Sequence, residues 1–445
     1  MPNKLGVYLW KLFVVMLFIA FSALTLFFAY GYQFDFKKRD FTKTSIIDVT
    51  AKEKSASVML DGTQQSEVLP FQIKGVLPGR HLLSVNRPDF QSWKREVEVE
   101  GDIVTIVDDV LLVPENVDKA IRPLKKTAEK PGRSYFAGDY IVEIREGEKK
   151  LSLTSLFEDG TIKDEEIELF KAGMERLEPL ENENFLIYFS DGGISWVNFR
   201  DKKFVLFVPP AGAEGVKVSP LREMVYFTKG KVLYGVPFSQ TDALKDGPEK
   251  FRIIANVEAY VPVFGDDIYY ISGGMLFKSD FRGREKKLID YAPDFYKNID
   301  FYQGKDYGSL ILRDRDDERY LVLCDRRGRF TYRAGDLSGQ PRFNGYDQLI
   351  FAKNDGEVVF YDPQTGKSTA VAGLEGKFEV LGWFSDRGHY LIREGTSIRL
   401  RDVFNANTYT LVDGIEGISN YFTLNGALFF IKEDTLNVLN WSDDK

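Results

Sequence analysis

The chain has 445 residues, of which 44% are hydrophobic and 14% aromatic, so it can bury a large core and is not a disordered chain. Its formal net charge is −8, and an acidic surface repels phosphate backbones, which argues against a nucleic-acid partner. Residues 1–40 carry five basic and two acidic residues, a net +3, so the remainder carries −11. The 38 Gly, 22 Tyr and 36 Phe favour many short strands and turns, which predicts an all-β protein.

The first predicted element is a transmembrane helix over residues 12–34, which follows a short N-terminal tail of residues 1–11. These 23 residues, LFVVMLFIAFSALTLFFAYGYQF, contain no charge, and about 20 apolar residues in a helix cross the hydrocarbon core of a bilayer. Trp10 on one side and Tyr30 on the other suit the two membrane interfaces. Residues 35–49 are predicted to be a juxtamembrane linker.

Cleavage and orientation of this segment leave alternatives open. Residues 29–31, AYG, resemble a signal-peptide cleavage site, but the length of the apolar run favours an uncleaved anchor. The basic residues after the helix favour a cytoplasmic body by the positive-inside rule, whereas the short N-terminal tail is typical of export. We expect a single-pass membrane protein with an extracytoplasmic body; the opposing basic residues are Lys37, Lys38, Arg39 and Lys43.

Residues 50–114 are predicted to form a small β-sandwich. Apolar residues alternate with polar ones in several short runs, the period of half-buried strands, as in Val58 and Leu60 or Leu83 and Val85. Turn residues such as Asp61-Gly62, Pro78-Gly79 and Gly101-Asp102 separate these runs. The aromatic residues Phe90 and Trp93 are expected to fill the core, and an exposed ligand platform at Trp93 is the alternative.

This module resembles the PEGA domain, a small β-sandwich of bacterial and archaeal surface proteins. The resemblance rests on the order SVMLDG, a Leu-Pro before an alternating strand, LPGRHLLSV, and an aromatic residue before Trp93 and VEVE. The naming Pro-Glu-Gly-Ala stretch is not intact, because its equivalent reads EKSA and keeps only Ala56. The resemblance implies a spacer on a membrane-anchored surface protein and covers about an eighth of the chain.

Residues 115–133 contain prolines and mixed charge and are predicted to be a linker, with a ring-closing strand as the alternative. Beyond them, apolar strands recur at intervals of 38 to 45 residues, near the length of a four-stranded propeller blade. Each is followed by a turn and a second strand, which indicates a hairpin. The strands begin at Tyr140, Phe185, Met224, Asp267, Ser309, Gln348, His389 and Ala427.

Residues 134–445 are therefore predicted to form a β-propeller of about eight blades, with seven as the alternative. The last blade has three strands in the sequence, so its fourth is expected from the segment before Tyr140. The segments EVVFYDPQTGKSTAV and WFSDRGHYLI resemble TolB-like and quinoprotein-like propeller repeats, while no blade carries the Trp-Asp pair of a WD40 repeat. The resemblance is to an architecture and implies no particular ligand.

Residue types that carry chemistry are sparse. Cys324 is the single cysteine and lies in an alternating strand, so it is expected to be a buried thiol rather than a nucleophile. His81 and His389 are the only histidines, which gives poor support to a catalytic triad or a zinc site. We predict no catalytic residue, no bound metal and no cofactor.

The acidic cluster at residues 313–319, RDRDDER, is expected to be a hairpin tip, with a calcium site as the alternative. It lacks the glycine and the distal glutamate of a calcium loop. The residues in question are Asp314, Asp316, Asp317 and Glu318.

The expected function is binding or scaffolding. A propeller presents loops on a rigid frame, and the head is expected to recognise a protein or a cell-wall polymer in the cell envelope. Residues 238–251, FSQTDALKDGPEKF, are the longest polar interruption of the blade pattern and a candidate contact loop; a tolerated insertion is the alternative. The alternative function is an envelope enzyme, such as a glycan hydrolase or lyase, with paired carboxylates in the central channel.

Overall fold

The computed structural model divides the chain into two compact units, residues 1–117 with 441–445, and residues 118–440. The residues that the structure describes are 4–35, 39–51, 54–126, 134–137, 140–144, 150–157, 161–168, 173–180, 184–199, 201–264, 267–284, 286–289, 296–371, 378–384, 388–404, 407–413, 421–424, 427–432 and 435–440.

The first unit begins with a helix, α1 (Lys4–Ala29), whose segment Tyr8–Ala29 is long and apolar enough to cross a membrane. The helix starts earlier than residue 12, since residues 4–11 contain no proline and the helix includes Gly6, and it stops before residue 34. Gly31 has a φ of +80°, which ends the helix, and the next residues pair as an antiparallel hairpin of β1 (Tyr32–Asp35) and β2 (Asp40–Lys43).

Two sheets form a β-sandwich in the same unit. The strands are β3 (Ser45–Ala51), β4 (Ser57–Leu60), β5 (Thr63–Ser66), β6 (Phe71–Val76), β7 (Gly79–Asn86), β8 (Trp93–Val99) and β9 (Val104–Val110). One sheet has the order β6-β3-β9, with β3 parallel to β9, and the other has the order β5-β4-β7-β8. Their inner faces share one core around Trp93, which is fully buried and therefore packs as a core residue.

The structure differs from the sequence analysis over residues 35–49. This segment contains the hairpin strand β2 and most of β3, which is the central strand of its sheet. Ile47 and Val49 alternate with polar residues and are fully buried, so β3 obeys the same period-2 rule as its neighbours. A linker was expected because β3 follows the membrane segment closely and its partners lie up to sixty residues away along the chain.

The second unit is a β-propeller of eight four-stranded sheets among the described residues, and this confirms the predicted fold class. Strand β10 (Ile121–Lys126) comes first. Blade 1 consists of β11 (Ser134–Ala137), β12 (Tyr140–Ile144), β13 (Lys150–Leu156) and β14 (Ile162–Glu168), and blade 2 consists of β15 (Met174–Pro179), β16 (Asn184–Phe189), β17 (Ile194–Asn198) and β18 (Lys203–Phe207). Blade 3 consists of β19 (Glu214–Ser219), β20 (Met224–Lys229), β21 (Val232–Pro237) and β22 (Arg252–Ala255), and blade 4 consists of β23 (Ala259–Val263), β24 (Asp267–Ser272), β25 (Met275–Asp280) and β26 (Lys287–Leu288).

Blades 5 to 8 complete the ring. Blade 5 consists of β27 (Tyr296–Gln303), β28 (Tyr307–Asp314), β29 (Arg319–Asp325) and β30 (Phe330–Ala334), and blade 6 consists of β31 (Arg342–Phe343), β32 (Leu349–Ala352), β33 (Val358–Asp362) and β34 (Lys367–Val371). Blade 7 consists of β35 (Glu379–Trp383), β36 (His389–Glu394), β37 (Ser397–Asp402) and β38 (Thr408–Val412). Blade 8 consists of β39 (Tyr421–Leu424), β40 (Ala427–Lys432) and β41 (Thr435–Leu439) together with β10. Short 3-10 helices lie at Val117–Ala120, Pro220–Arg222, Phe238–Asp246 and Glu249–Phe251.

The ring closes through a pairing between distant parts of the chain. Strand β10 adds antiparallel to β41, with Ile121 opposite Leu439 and Lys126 opposite Thr435. Blade 8 therefore takes three strands from the C-terminal region and its outer strand from the segment before blade 1. This arrangement gives blade 8 the same four strands as the other blades and joins the two ends of the propeller in one sheet.

In the second strand of a blade, alternate side chains pack toward the two neighbouring blades, and this packing holds the ring together. In β32, Leu349 and Phe351 pack toward blade 5, whereas Ile350 and Ala352 pack toward blade 7. Both faces of such a strand are buried, so it reads as a continuous apolar run rather than an alternating one. The eight apolar runs found in the sequence are these second strands, β12, β16, β20, β24, β28, β32, β36 and β40.

Candidate binding site in the propeller channel

The first strand of each blade is the innermost one, because first strands of successive blades contact each other, as β19 contacts β23 and β23 contacts β27. Five of them, β15, β19, β23, β27 and β31, contribute to the lining of a cavity of about 970 Å³, which we call the channel cavity. Its lining carries both signs of charge and several aromatic rings, among them Glu178, Lys217, Asp300, Arg342, Trp196, Phe301, Tyr302 and Phe343. Such a mixture suits a ligand with polar groups and flat apolar surfaces.

A β-bulge sets the position of Lys217 on β19. Glu214 pairs with Thr228 and Lys217 with Tyr226, so three steps along β19 match two along β20 and one residue is extra. Gly215 within the bulge has a φ of +59°, a conformation that glycine adopts without strain. The buried hydroxyl of Tyr260 donates a 2.6 Å hydrogen bond to the carbonyl of Gly215, which holds the bulge against blade 4.

Lys217 is a partly desolvated cation next to carboxylates. Its Nζ lies 3.9 Å from Oδ1 of Asp300 and 5.9 Å from the ring centroid of Tyr260. Burial lowers the pKa of Lys217, and the carboxylates of Asp300 and Glu178 act in the opposite direction. About 31% of the side chain stays exposed, so the amine can meet a ligand in the channel cavity.

Glu178 belongs to a second group of interacting side chains. The hydroxyl of Tyr188 donates to Oε2 of Glu178 at 2.9 Å, a guanidinium nitrogen of Arg176 lies 3.3 Å from the same oxygen, and the guanidinium carbon of Arg176 sits 4.0 Å from the Tyr188 ring centroid. Burial, followed by the charge of Glu178, raises the pKa of Tyr188. These residues line a smaller cavity of about 590 Å³, which shares Glu178, Val216 and Lys217 with the channel cavity.

Arg342 brings a second cation to the lining, on the two-residue strand β31. The indole nitrogen of Trp383 in blade 7 donates to the carbonyl of Arg342 at 2.9 Å, which fixes the backbone. The Nε of Arg342 is buried and has no hydrogen-bond partner among the described residues. Burial raises the pKa of Tyr302, the charge of Asp300 raises it further, and the charges of Arg319 and Arg342 oppose the rise. Arg342 therefore contributes a partly buried guanidinium group to the cavity lining.

The residues singled out in the sequence lie away from the channel cavity. Cys324 is fully buried on β29, its Sγ lies 3.4 Å from the carbonyl of Gly308, and burial raises the pKa of the thiol to about 12. His81 lies on β7 of the sandwich, with Nδ1 2.7 Å from Asp61 and Nε2 2.8 Å from the carbonyl of Leu77. His389 is buried on β36 of the propeller.

The acidic cluster at residues 313–319 is the tip of the β28–β29 hairpin, where Arg313 pairs with Arg319. One carboxylate oxygen of Asp314 accepts hydrogen bonds from the backbone amides of Asp316 and Glu318, each at 2.9 Å, and the hydroxyl of Tyr320 donates to Glu318 at 2.7 Å. Asp314 thus closes the turn. Within the described ranges, no group of three or more His, Cys, Asp and Glu side chains is arranged to hold a metal ion.

Residues 238–251 form an ordered insertion between β21 and β22 rather than an open loop. Phe238, Leu244 and Phe251 are buried, and the ring centroid of Phe238 lies 4.8 Å from that of Trp196. Phe238 packs in the cluster between blades 2 and 3, whereas Leu244 and Phe251 pack on blade 3. The charged side chains of the insertion, such as Lys245 with 80% exposure, remain on the surface.

Sequence reasoning missed the channel residues because it followed the apolar second strands of the blades. These innermost strands mix polar with apolar residues, as in EGVKVS of β19 and YKNIDFYQ of β27. For Lys217 and Asp300, the available signal was a charged residue inside the run that precedes the apolar strand.

No family model matches the chain, and no curated protein matches it. Similar solved structures include BamB from Moraxella catarrhalis, with 11% identity and a TM-score of 0.42 over 72% of this chain and 99% of that one. The C-terminal WD40 domain of Sif2 has 12% identity and a TM-score of 0.43 over 72% and 97%, and Kluyveromyces lactis Hsv2 has 10% and 0.38 over 60% and 92%. The strand pairing by itself defines the chain as a β-propeller protein with an N-terminal apolar helix.

Proposed function

We propose that the protein is a membrane-anchored binding or scaffold protein whose propeller head recognises a protein or a cell-wall polymer outside the cytoplasm. The observation that carries this proposal is the channel cavity, where Lys217 and Arg342 offer cations, Asp300 offers a carboxylate, and aromatic rings complete the lining. At about 970 Å³ it matches the upper range of ligand sites, which is room for a loop of a partner protein or a few sugar rings.

Physical chemistry favours recognition at this place over the outer surface of the ring. Arginine and aromatic side chains dominate the binding energy of interfaces when they lie in desolvated pockets. Arg342 and Tyr302 meet that description, and the rigid strands around them keep the loss of conformational entropy on binding small. Carboxyl, phosphate or carbonyl groups of a ligand would pair with Lys217 and Arg342.

In this proposal, the first unit attaches the protein to the membrane. The helix over Tyr8–Ala29 anchors the chain, and the PEGA-like sandwich follows the helix and precedes the head along the chain. The resemblance to PEGA domains of surface proteins supports an extracytoplasmic body, against the basic residues that follow the helix. Protease treatment of intact cells tests this orientation. Digestion of the head on intact cells is expected, and a head that is cut only after lysis would place the body in the cytoplasm.

Binding through the channel cavity is tested with the purified chain in detergent. Soluble peptidoglycan fragments and cross-linked envelope extracts serve as probes for Lys217→Gln and Arg342→Gln, with Lys245→Gln in the ordered insertion as the matched control. We expect each channel substitution to weaken capture about tenfold or more, since a lost charge-assisted hydrogen bond costs about 1.5–3 kcal/mol. Loss of capture in Lys245→Gln with wild-type behaviour of both channel variants would move the site to the insertion.

An envelope enzyme is the second candidate, because Glu178 and Asp300 both line the channel cavity and both act on Lys217. Most glycoside hydrolases use a pair of carboxyl groups in one active site. Incubating the purified chain with peptidoglycan fragments tests this activity. Turnover that disappears in both Glu178→Gln and Asp300→Asn would replace the binding proposal by the enzymatic one.

A further inference from the structure

The sandwich has an exposed apolar patch where its edge strand begins. Ile103, Val104 and Ile106 are 52%, 50% and 67% exposed, and the last two project from the outer face of β9. We call these three residues the edge patch. Isolated exposed hydrophobic residues are ordinary, whereas three within four positions on an edge strand require a reason.

The edge patch adjoins the end of the apolar helix. The amide and the hydroxyl of Thr44 donate to the carbonyl of Gly31 at 2.8 and 2.7 Å, so the chain that leaves the hairpin is tied to the helix end. The amide of Asp102 donates to the carbonyl of Thr44 at 3.2 Å, and Asp102 forms an ion pair with Lys43. Ile103 follows directly, so patch, hairpin and helix end are continuous.

The hairpin itself carries an aromatic cluster. The ring of Phe27 in the last turns of the helix lies 5.1 Å from Tyr32 and 5.5 Å from Phe41, and Phe34 lies 5.3 Å from Phe41. Phe27, Phe34 and Phe41 are 46%, 38% and 43% exposed. Aromatic rings are enriched at the level of lipid headgroups. A helix of 22 residues spans about 33 Å, so the hairpin begins where the hydrocarbon core ends.

Polarity changes along the outer face of the three-stranded sheet with distance from the helix. The row nearest the hairpin holds Lys74, Ile46 and Val104, which pair across the strands. The next row holds Gln72, Asp48 and Ile106, and the exposed Asp108 comes after it on β9. On this face, the row at the helix end therefore holds apolar residues and a cation but no carboxylate, and carboxylates first appear in the second row, where Asp48 lies opposite Ile106. A face that enters a bilayer surface by about 5–10 Å needs this order.

We propose that the edge patch contacts the lipid bilayer beside the anchor, with Lys74 toward anionic headgroups, so that this end of the sandwich rests on the membrane. The inference depends on the proposed membrane anchoring by the helix. The sandwich then acts as a base with a fixed orientation at the membrane instead of a freely swinging spacer.

Site-specific labelling tests the contact in the full chain. Cys324 is buried with a raised pKa, so the wild-type chain serves as the unlabelled background. Single variants Ile106→Cys and Leu82→Cys carry an environment-sensitive fluorophore; Leu82 is the control because it is 48% exposed on the other sheet of the sandwich. The chains are reconstituted in phosphatidylcholine–phosphatidylglycerol vesicles with brominated acyl chains.

We expect quenching at position 106 to exceed quenching at position 82 several-fold, and Lys74→Glu to reduce it in anionic vesicles but not in vesicles of phosphatidylcholine alone. If quenching is equally weak at positions 106 and 82, the proposed contact between the edge patch and the bilayer is wrong. Chains that still resist carbonate extraction would show in that case that the helix anchors the protein. Chains released by carbonate would instead refute the anchoring on which the proposal rests. A label at 106 that is unquenched by lipid but shielded from aqueous iodide would overturn the lipid contact and assign the patch to a contact between copies of this chain.

Discussion

The sandwich and the propeller bury their apolar residues in different arrangements. The sandwich gathers its buried residues into one core between two sheets, centred on Trp93. The propeller divides its buried residues among several clusters, most of which join two adjacent blades, such as the cluster of Tyr226 with Tyr260 between blades 3 and 4. A damaged core therefore affects the whole sandwich, whereas damage in the propeller stays local unless the ring opens.

Ring opening is expected to have the largest effect. A chain that begins at Lys119 keeps β10, and one that begins at residue 128 lacks it and exposes the edge of β41 along the whole strand. We expect the first to be soluble and to unfold in one cooperative transition, and the second to aggregate or to melt broadly at lower temperature. Identical melting of the two chains by calorimetry would contradict a closed ring.

A chain that ends near residue 414 extends the same test, because it lacks β39, β40 and β41 and with them most of blade 8. The expected result is a loss of cooperativity at least as great as that caused by the loss of β10.

Trp93→Ala is expected to destabilise the sandwich by about 3–5 kcal/mol, the usual cost of truncating a fully buried aromatic residue. Because the core is shared by both sheets, backbone amides of β3 as well as β8 should lose hydrogen-exchange protection, while amides of the propeller keep theirs. Trp93→Phe is the conservative control and should cost less. Protection lost only in β8 would mean that the sandwich does not unfold as a unit.

Buried tyrosines should make the propeller sensitive to alkali. Burial raises the pKa of Tyr226 and of Tyr390 to about 12, above the value of about 10 in an unfolded chain. Each hydroxyl therefore favours the folded state below pH 10, and this stability is lost as the pH rises from 10 to 12, roughly 2–3 kcal/mol per residue. Urea unfolding of wild type and Tyr226→Phe across this range should show a steeper fall for wild type, and parallel curves would refute the assignment.

The smallest effect is expected at the bulge of β19. Tyr260→Phe removes the donor to the carbonyl of Gly215 and should cost about 1 kcal/mol. Tyr421→Phe removes a 2.9 Å hydrogen bond to the carbonyl of Leu381 between blades 8 and 7, at a half-buried position, and should cost less. The first variant should also weaken ligand capture at Lys217, while the second leaves capture unchanged. Unchanged capture in both variants would show that the bulge does not position Lys217.

The fold was predictable to the extent that local alternation reports burial. The second strands of the blades are buried on both faces, so they can be recognised in the sequence as apolar runs such as YIVEI and ALFFI. The regular spacing of these runs predicted the eight blades. Strand β3 was missed although Ile47 and Val49 alternate correctly, because its partners β6 and β9 are remote in sequence. The residues of the channel cavity were missed because a single charged residue in a short strand has no distinctive pattern.

Sequence alone determined the all-β class, the apolar helix and the blade repeat, since period, turn residues and the length of an apolar run are local properties of the chain. The sequence also predicted that the segment before Tyr140 supplies the fourth strand of the last blade. Only the tertiary structure decided the register of β10 on β41, the approach of Lys217 to Asp300, and the hydrogen bonds that tie the edge patch to the helix end. These contacts join residues from 13 to more than 300 positions apart. They depend on how whole sheets pack, and no local pattern encodes that packing.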